Sequence, residues 1–221
     1  MAVKTPPIQY PVGIEDLAIC FMKDKQDTLS ALPEYEDDVY SQTNITNLGI
    51  AGTNSTFEKW ASNQLIISIS RNTKYTLTFD LAGIAQEIYD RMKDNARTKG
   101  IVFNSSNPKE FPKFAIGVIF PMNDGTRKAR WYPRCQLAPA DETYKTLTEE
   151  MDIPDQQHVI EALPLLYNKN TVADFYDGDP TNAASALTVS DFLKQVICDE
   201  SQLAALTGTG SPTNLEKGGD N

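Results

Sequence analysis

Phe114-Ala-Ile-Gly-Val-Ile-Phe120, the turn Asn123-Asp124-Gly125 and the return Arg130-Trp131-Tyr132 decide the fold class of this chain. An Asp-Gly pair between β-branched and aromatic runs is the strongest short-range hairpin signal a sequence offers. The uninterrupted apolar run is too short for a membrane span and has the length of a buried strand. After Leu137 the chain continues through Pro139, Asp141 and Tyr144 to Glu149. It then re-enters apolar sequence at His158-Val-Ile-Glu-Ala-Leu-Pro-Leu-Leu-Tyr167. Pro133 has no amide hydrogen to give a ladder, so its strand is expected to carry a bulge there or lie at an edge.

Working outward, Val12 to Lys23 predicts a first strand broken near Glu15-Asp16, and residues 48–50 a short one. Leu65–Ser70 and Tyr75–Phe79 predict a second hairpin turning at Arg71-Asn72-Thr73-Lys74. In its return strand Tyr75, Leu77 and Phe79 alternate with Thr76 and Thr78, one face apolar and one small and polar. Asp80 offers a helix cap, and Ile84, Ile88 and Met92 recur at helical spacing, so residues 82–96 are expected to form a helix packed over the sheet. Residues 101–103 and 171–176 predict short strands. Val189, Phe192, Val196 and Ile197 predict a C-terminal helix capped by Thr188 or Ser190. Residues 1–11 hold three prolines and predict an extended arm, 24–47 a long polar loop, and 201–221 a flexible tail. The expected domain is therefore one unit over 12–200, mainly β with a flanking helix.

The composition bounds the function. With 221 residues, 40% hydrophobic and 23% charged, the chain can bury one sizeable core. A net charge of −10 argues against tight binding of nucleic-acid phosphates. No apolar run reaches the roughly 20 residues of a membrane helix, and no apolar signal core stands at the N-terminus, so synthesis in the cytoplasm is expected. Cys20, Cys135 and Cys198 are odd in number and far apart, a pattern of reduced buried thiols rather than disulfides or a zinc site.

Charge is unevenly spread. Residues 1–63 carry 4 basic and 9 acidic side chains, residues 64–137 carry 12 and 6, and residues 138–221 carry 4 and 15. Opposite patches favour oriented association. Candidate subunit-interface residues are accordingly the basic Arg127, Lys128 and Arg130 near the hairpin turn and the acidic Glu34, Glu36, Asp37 and Asp38. No nucleophile elbow, zinc helix, phosphate loop or Cys-x-x-Cys is present, and His158 is the single histidine. No enzyme and no cofactor or metal is expected. The pairs Asp141-Glu142 and Glu149-Glu150 and the Asp177-Gly-Asp179 run are what 30 acidic residues produce by chance.

The run Arg130-Trp-Tyr-Pro-Arg-Cys-Gln-Leu-Ala-Pro-Ala-Asp-Glu-Thr-Tyr-Lys-Thr-Leu-Thr-Glu149, followed by His158-Val-Ile-Glu-Ala-Leu-Pro-Leu, resembles the major tail proteins of long, non-contractile-tailed bacteriophages (siphoviruses) of Gram-positive hosts. The resemblance spans roughly residues 65–198. It implies a β-sandwich whose sheets join into a barrel around a hexameric ring. The rings stack as the virion's tail tube, assembled in the host cytoplasm. The implied partners are further copies of the chain and other tail proteins such as tape-measure and terminator proteins. DNA passes through the lumen without specific binding, and an acidic lumen is expected. A tail-completion or neck protein, and a carbohydrate-binding β-sandwich using Trp60 or Trp131, are the alternative readings.

Overall fold

The computed structural model describes residues 8–25, 27–103, 107, 109–139 and 155–206. The segment 140–154 and the tail beyond 206 lie outside the described residues, as do the expectations placed on them. Eight strands and two short helices follow in order: β1 (Leu17–Phe21), β2 (Tyr40–Gln42), β3 (Ile45–Ala61), β4 (Gln64–Leu81), α1 (Gln86–Met92), β5 (Phe114–Pro121), β6 (Arg127–Leu137), β7 (Gln156–Ala162), β8 (Ala173–Tyr176) and α2 (Val189–Leu193).

All strands belong to one antiparallel sheet in the order β2-β1-β5-β6-β7-β4-β3, with β8 beside β6. The mainly β expectation holds, and the strands share one hydrogen-bonded network. The sheet rolls: β2 and β3 stand at its two ends, yet only Thr43 and Asn44 separate them in sequence. Three Cα steps span no more than about 11 Å, so the two edges are drawn together. No ladder joins β2 to β3 among the described residues, and the roll stays open.

The rolled sheet encloses one core and carries a second on its back. Leu17, Ile19 and Phe21 of β1, Phe114, Ile116 and Val118 of β5, Leu77, Phe79 and Leu81 of β4, and Ile160 of β7 form the first, with Ile88 and Met92 of α1 packed into it. Ala18, Cys20, Ala115, Ile119, Ala129 and Trp131 form the second under Val189 and Phe192 of α2. Strand β5 is therefore covered on both faces, which is why its sequence is a continuous apolar run rather than an alternation. The Pro133 expectation is met by a bulge. Tyr132 pairs with Ile116 but Cys135 pairs with Phe114, so the ladder skips there. The extra residue flips the alternation and lets Tyr132, Cys135 and Leu137 face the same core. Beyond the bulge β6 exchanges β8 for β7 as its second partner.

Several boundaries differ from the sequence expectations. The helix over 82–96 is the single stretch Gln86–Met92, because Asp80 remains in β4, accepting from Asn47 and Gln157, and no side chain caps the helix. The loop 24–47 contains β2 and the start of β3, with a 3-10 turn at Lys23–Lys25 beside it. It is pinned from within: Tyr35 donates its hydroxyl to the Pro133 carbonyl at 2.7 Å. Its Asp27 carboxylate accepts the Leu166 amide and lies 3.5 Å from Arg134 Nε. Residues 101–103 supply only an Ile101–Thr98 bridge, and the 158–167 run ends as a strand at Ala162, before Pro164. Residues 8–12 run along the β5–β6 turn of their own chain, and Glu200–Ala205 form a 3-10 helix.

The largest correction concerns β3 and β4. No turn occurs at residues 71–74. Strand β4 runs on from Gln64 to Leu81, paired throughout with β3, and the short strand expected at 48–50 is part of the 17-residue β3. The reversal lies at Ser62-Asn63, with φ of 50° and 62°. Left-handed backbone at both central residues is the two-residue turn whose twist matches a hairpin.

Candidate assembly surface

Only Tyr75–Leu81 of β4 pair with β7. From Gln64 to Lys74 the ladder partner of β4 among the described residues is β3 alone, so the outer hairpin leaves the body as a two-stranded ribbon. At 3.3 Å per residue it reaches on the order of 30 Å. Its base is fixed by the Lys74–Glu161 ion pair, by Gln136 donating to Glu161 at 3.1 Å, and by the Thr73 hydroxyl donating to the Thr53 carbonyl at 2.8 Å. The Lys74 hydrogen bond holds the Glu161 carboxyl below its ordinary range. A ladder irregularity between Thr53 and Asn54 marks where the ribbon departs.

The ribbon has two unlike faces. Phe57 pairs with Ile69 and Lys59 with Ile67 on one; Thr56 pairs with Ser70 and Glu58 with Ser68 on the other. The hydroxyls of Thr56 and Ser70 lie 3.2 Å apart. Toward the tip a second irregularity precedes the Trp60–Leu65 pair and leaves Ile66 between ladder positions. Every residue from 51 to 72 is exposed. Phe57 and Trp60 are each 61% exposed and Ile66 and Ile69 each 60%, with Leu65 and Ile67 beside them. A hairpin standing in water is marginal, and contiguous apolar surface of this kind marks an interaction site.

The residues singled out in sequence fall elsewhere. Arg127 is ion-paired with Glu15, and its amide donates to Asp177 at 2.8 Å. Arg130 grips Asp174 of β8 through two hydrogen bonds of 2.6 and 3.0 Å, and Lys128 lies 3.8 Å from the same carboxylate. Glu36 accepts two hydrogen bonds from Arg91 of α1, whose guanidinium lies 4.0 Å from the centre of the Phe21 ring. Glu34, Asp37 and Asp38 are exposed. The basic group sits at the Pro121 end of β5 and the acidic group at its Phe114 end, so the fold keeps them apart. The apolar ribbon residues were missed in sequence; the signal for them was Leu65-Ile-Ile-Ser-Ile-Ser70 joined to a Ser-Asn turn.

Among the described residues no group of three or more His, Cys, Asp or Glu is placed to hold a metal ion, and no helix is long and apolar enough to cross a membrane. The three thiols are buried, and burial pushes Cys20 and Cys198 up to about 12. His158 is buried edge-on to Tyr89, with ring centres 5.5 Å apart.

No family model and no curated protein matches the chain. Among solved structures it is similar to the cap of the anti-feeding prophage, the tube-terminating cap, at 12% identity and a TM-score of 0.45, over 79% of this chain and 99% of that one. It is also similar to a chain of the six-fold symmetrised anti-feeding prophage baseplate, at 7% identity and a TM-score of 0.31, over 78% of this chain and 97% of that one. Similarity at that level defines neither family nor function.

Proposed function

We propose that the chain is a structural subunit of a phage tail tube, built from hexameric rings that stack around a channel for DNA at ejection. The observation that carries this reading is the ribbon formed by the outer parts of β3 and β4. It exposes an apolar face that a solitary subunit has no use for and that association with further copies would bury. The sequence resemblance over residues 130–149 and 158–165 supports the same reading. So does the charge of −10, because a conduit should repel phosphates weakly rather than hold them. Tape-measure and terminator proteins are the partners this role entails.

The deciding experiment is negative-stain electron microscopy of the purified chain as concentration is raised. Tubes of uniform diameter are the expected result. Single rings that never stack favour a tail-completion or neck protein. A chain that stays monomeric throughout overturns the proposal.

A further inference from the structure

A second exposed apolar strip lies at the other end of the molecule. Ile8, Tyr10 and Val12 occupy alternate positions of an extended segment and are 82%, 55% and 60% exposed. The segment is held in place. The Tyr10 amide donates to Asn123 Oδ1 at 2.9 Å, the Asn123 amide to the Tyr10 carbonyl at 3.0 Å, and the Val12 amide to the Pro121 carbonyl at 2.9 Å. Gln9 donates to Asp124 at 2.7 Å and to the Tyr176 hydroxyl at 2.6 Å. This strip is therefore a pre-ordered extended surface with its apolar side chains in water. Pro11 bridges Met122 without a hydrogen bond of its own, so its ring nitrogen lies on the outer edge, where it cannot donate. That edge is poorly suited to strand addition, and the strip is available by its face.

The two strips sit at opposite ends of the sheet. The ribbon departs at the row in which Tyr75 pairs with Ala162, Ala162 with Cys135 and Cys135 with Phe114. The Ile8–Val12 strip lies beside Pro121 and Met122, past the far end of β5. Two different apolar patches on opposed ends make a head-to-tail contact, which propagates rather than closing on a pair.

Charge agrees. From Thr53 to Asn72 the ribbon carries Lys59 and Arg71 against one anion, Glu58. Among the described residues around the strip the cations are engaged with Glu15 and Asp174, leaving Asp16, Asp124, Asp177 and Asp179 in excess. Thr126 holds Asp124, and Thr181 holds Asp179, below the ordinary carboxylate range, so both are charged at neutral pH.

We propose that the ribbon of one copy docks its Phe57, Ile67 and Ile69 face on the Ile8-Tyr10-Val12 strip of a second copy, in the next ring along the axis. This rests on the tail-tube reading and specifies its axial joint. Burying the two strips removes both exposed apolar patches at once, and Lys59 and Arg71 come to an acid-rich neighbour.

The test places a photoreactive benzophenone side chain at Phe57 in the full-length chain. Equal amounts of isotopically light and heavy protein are assembled together, irradiated and mapped by mass spectrometry. The expected product joins residue 57 to a peptide covering residues 8–16, with mixed-isotope pairs forming about half of it. If rings or tubes form and residue 57 reaches a different segment of a neighbouring copy, the docking site is overturned while the tail-tube reading stands. If the unmodified protein does not assemble and the benzophenone-bearing protein gives no cross-link between copies, both fall. As a second variant, Ile8→Asp with Val12→Asp alters exposed side chains only. It is expected to keep the wild-type melting temperature and lose stacked tubes, and unchanged tubes overturn the joint.

Discussion

At the scale of single residues the structure turns on small fits. Gly117 lies where an added Cβ would stand 2.9 Å from Leu193 Cδ2 and 3.1 Å from the Trp131 ring. The absent side chain lets α2 sit close enough for the Trp131 indole to donate to the Phe192 carbonyl at 3.1 Å. Gly117→Ala is therefore expected to cost about 1–3 kcal/mol through overpacking, read as a lower urea midpoint with an unchanged slope. The thiols make a second prediction. Burial disfavours each thiolate, so Cys20, Cys135 and Cys198 should resist a disulfide reagent in the folded protein at pH 8 and all react once urea unfolds it. A fast-reacting thiol in the folded chain would contradict their placement. Some residue-level features were legible beforehand. Thr188 caps α2 with a reciprocal Asp191 contact, and Pro133 marks a bulge, because caps and bulges are set by neighbours close in sequence.

At the scale of elements the ribbon is the departure that matters. Its strands were partly legible, since Leu65-Ile-Ile-Ser-Ile-Ser70 and Tyr75–Phe79 read as strand from their residue types. Their continuity was not, because Arg71-Asn72-Thr73-Lys74 looks like a turn and Ser62-Asn63 is a weaker signal than Asn-Gly. Seventeen residues of β3, many of them small and polar, are ordered by the ladder β4 presents rather than by their own propensity. Replacing Phe57, Ile67 and Ile69 together by serine should leave the melting temperature within a few degrees, since none is buried, and remove assembly. Sedimentation velocity distinguishes the outcomes, and a variant that still forms large species would sink the ribbon's role. By contrast Leu77→Ala, in the buried part of the same strand, should cost about 2–5 kcal/mol.

At the scale of the whole molecule, charge and the two ends of the sheet carry the argument. Several carboxyls are held below their ordinary range: Glu161 by Lys74, Asp179 by Thr181, and Asp199 by Asn168 and Ser201. The unfolded chain then takes up protons at higher pH than the folded one. The stability these groups lend is present above the ordinary carboxylate pKa of about 4 and is lost as pH falls through the lowered folded values. The melting temperature should be level from neutral pH to about 5 and decline below about 4, and a rise on acidification would contradict the assignments. Charge reversal at Arg127, Lys128 and Arg130, the basic subunit-interface candidates, tests that role and has a further consequence. These side chains pair with Glu15 and Asp174 within the chain, so the variant's melting temperature must be measured beside its assembly.

Composition and short-range pattern determined the mainly β class, the central hairpin, the capped C-terminal helix and the polarised charge, because each depends on residues a few positions apart. Only the tertiary structure decided that the strands share one rolled sheet, that Asp80 stays in a strand, and that Thr53 to Lys74 stand out as a ribbon. Those outcomes depend on which distant strands pair, and pairing is settled by burial of the Leu77, Phe114 and Ile160 faces in one core. The apolar strips at Phe57–Ile69 and Ile8–Val12 are neighbours of nothing in that core, which is why their meaning emerges only at the level of the folded molecule.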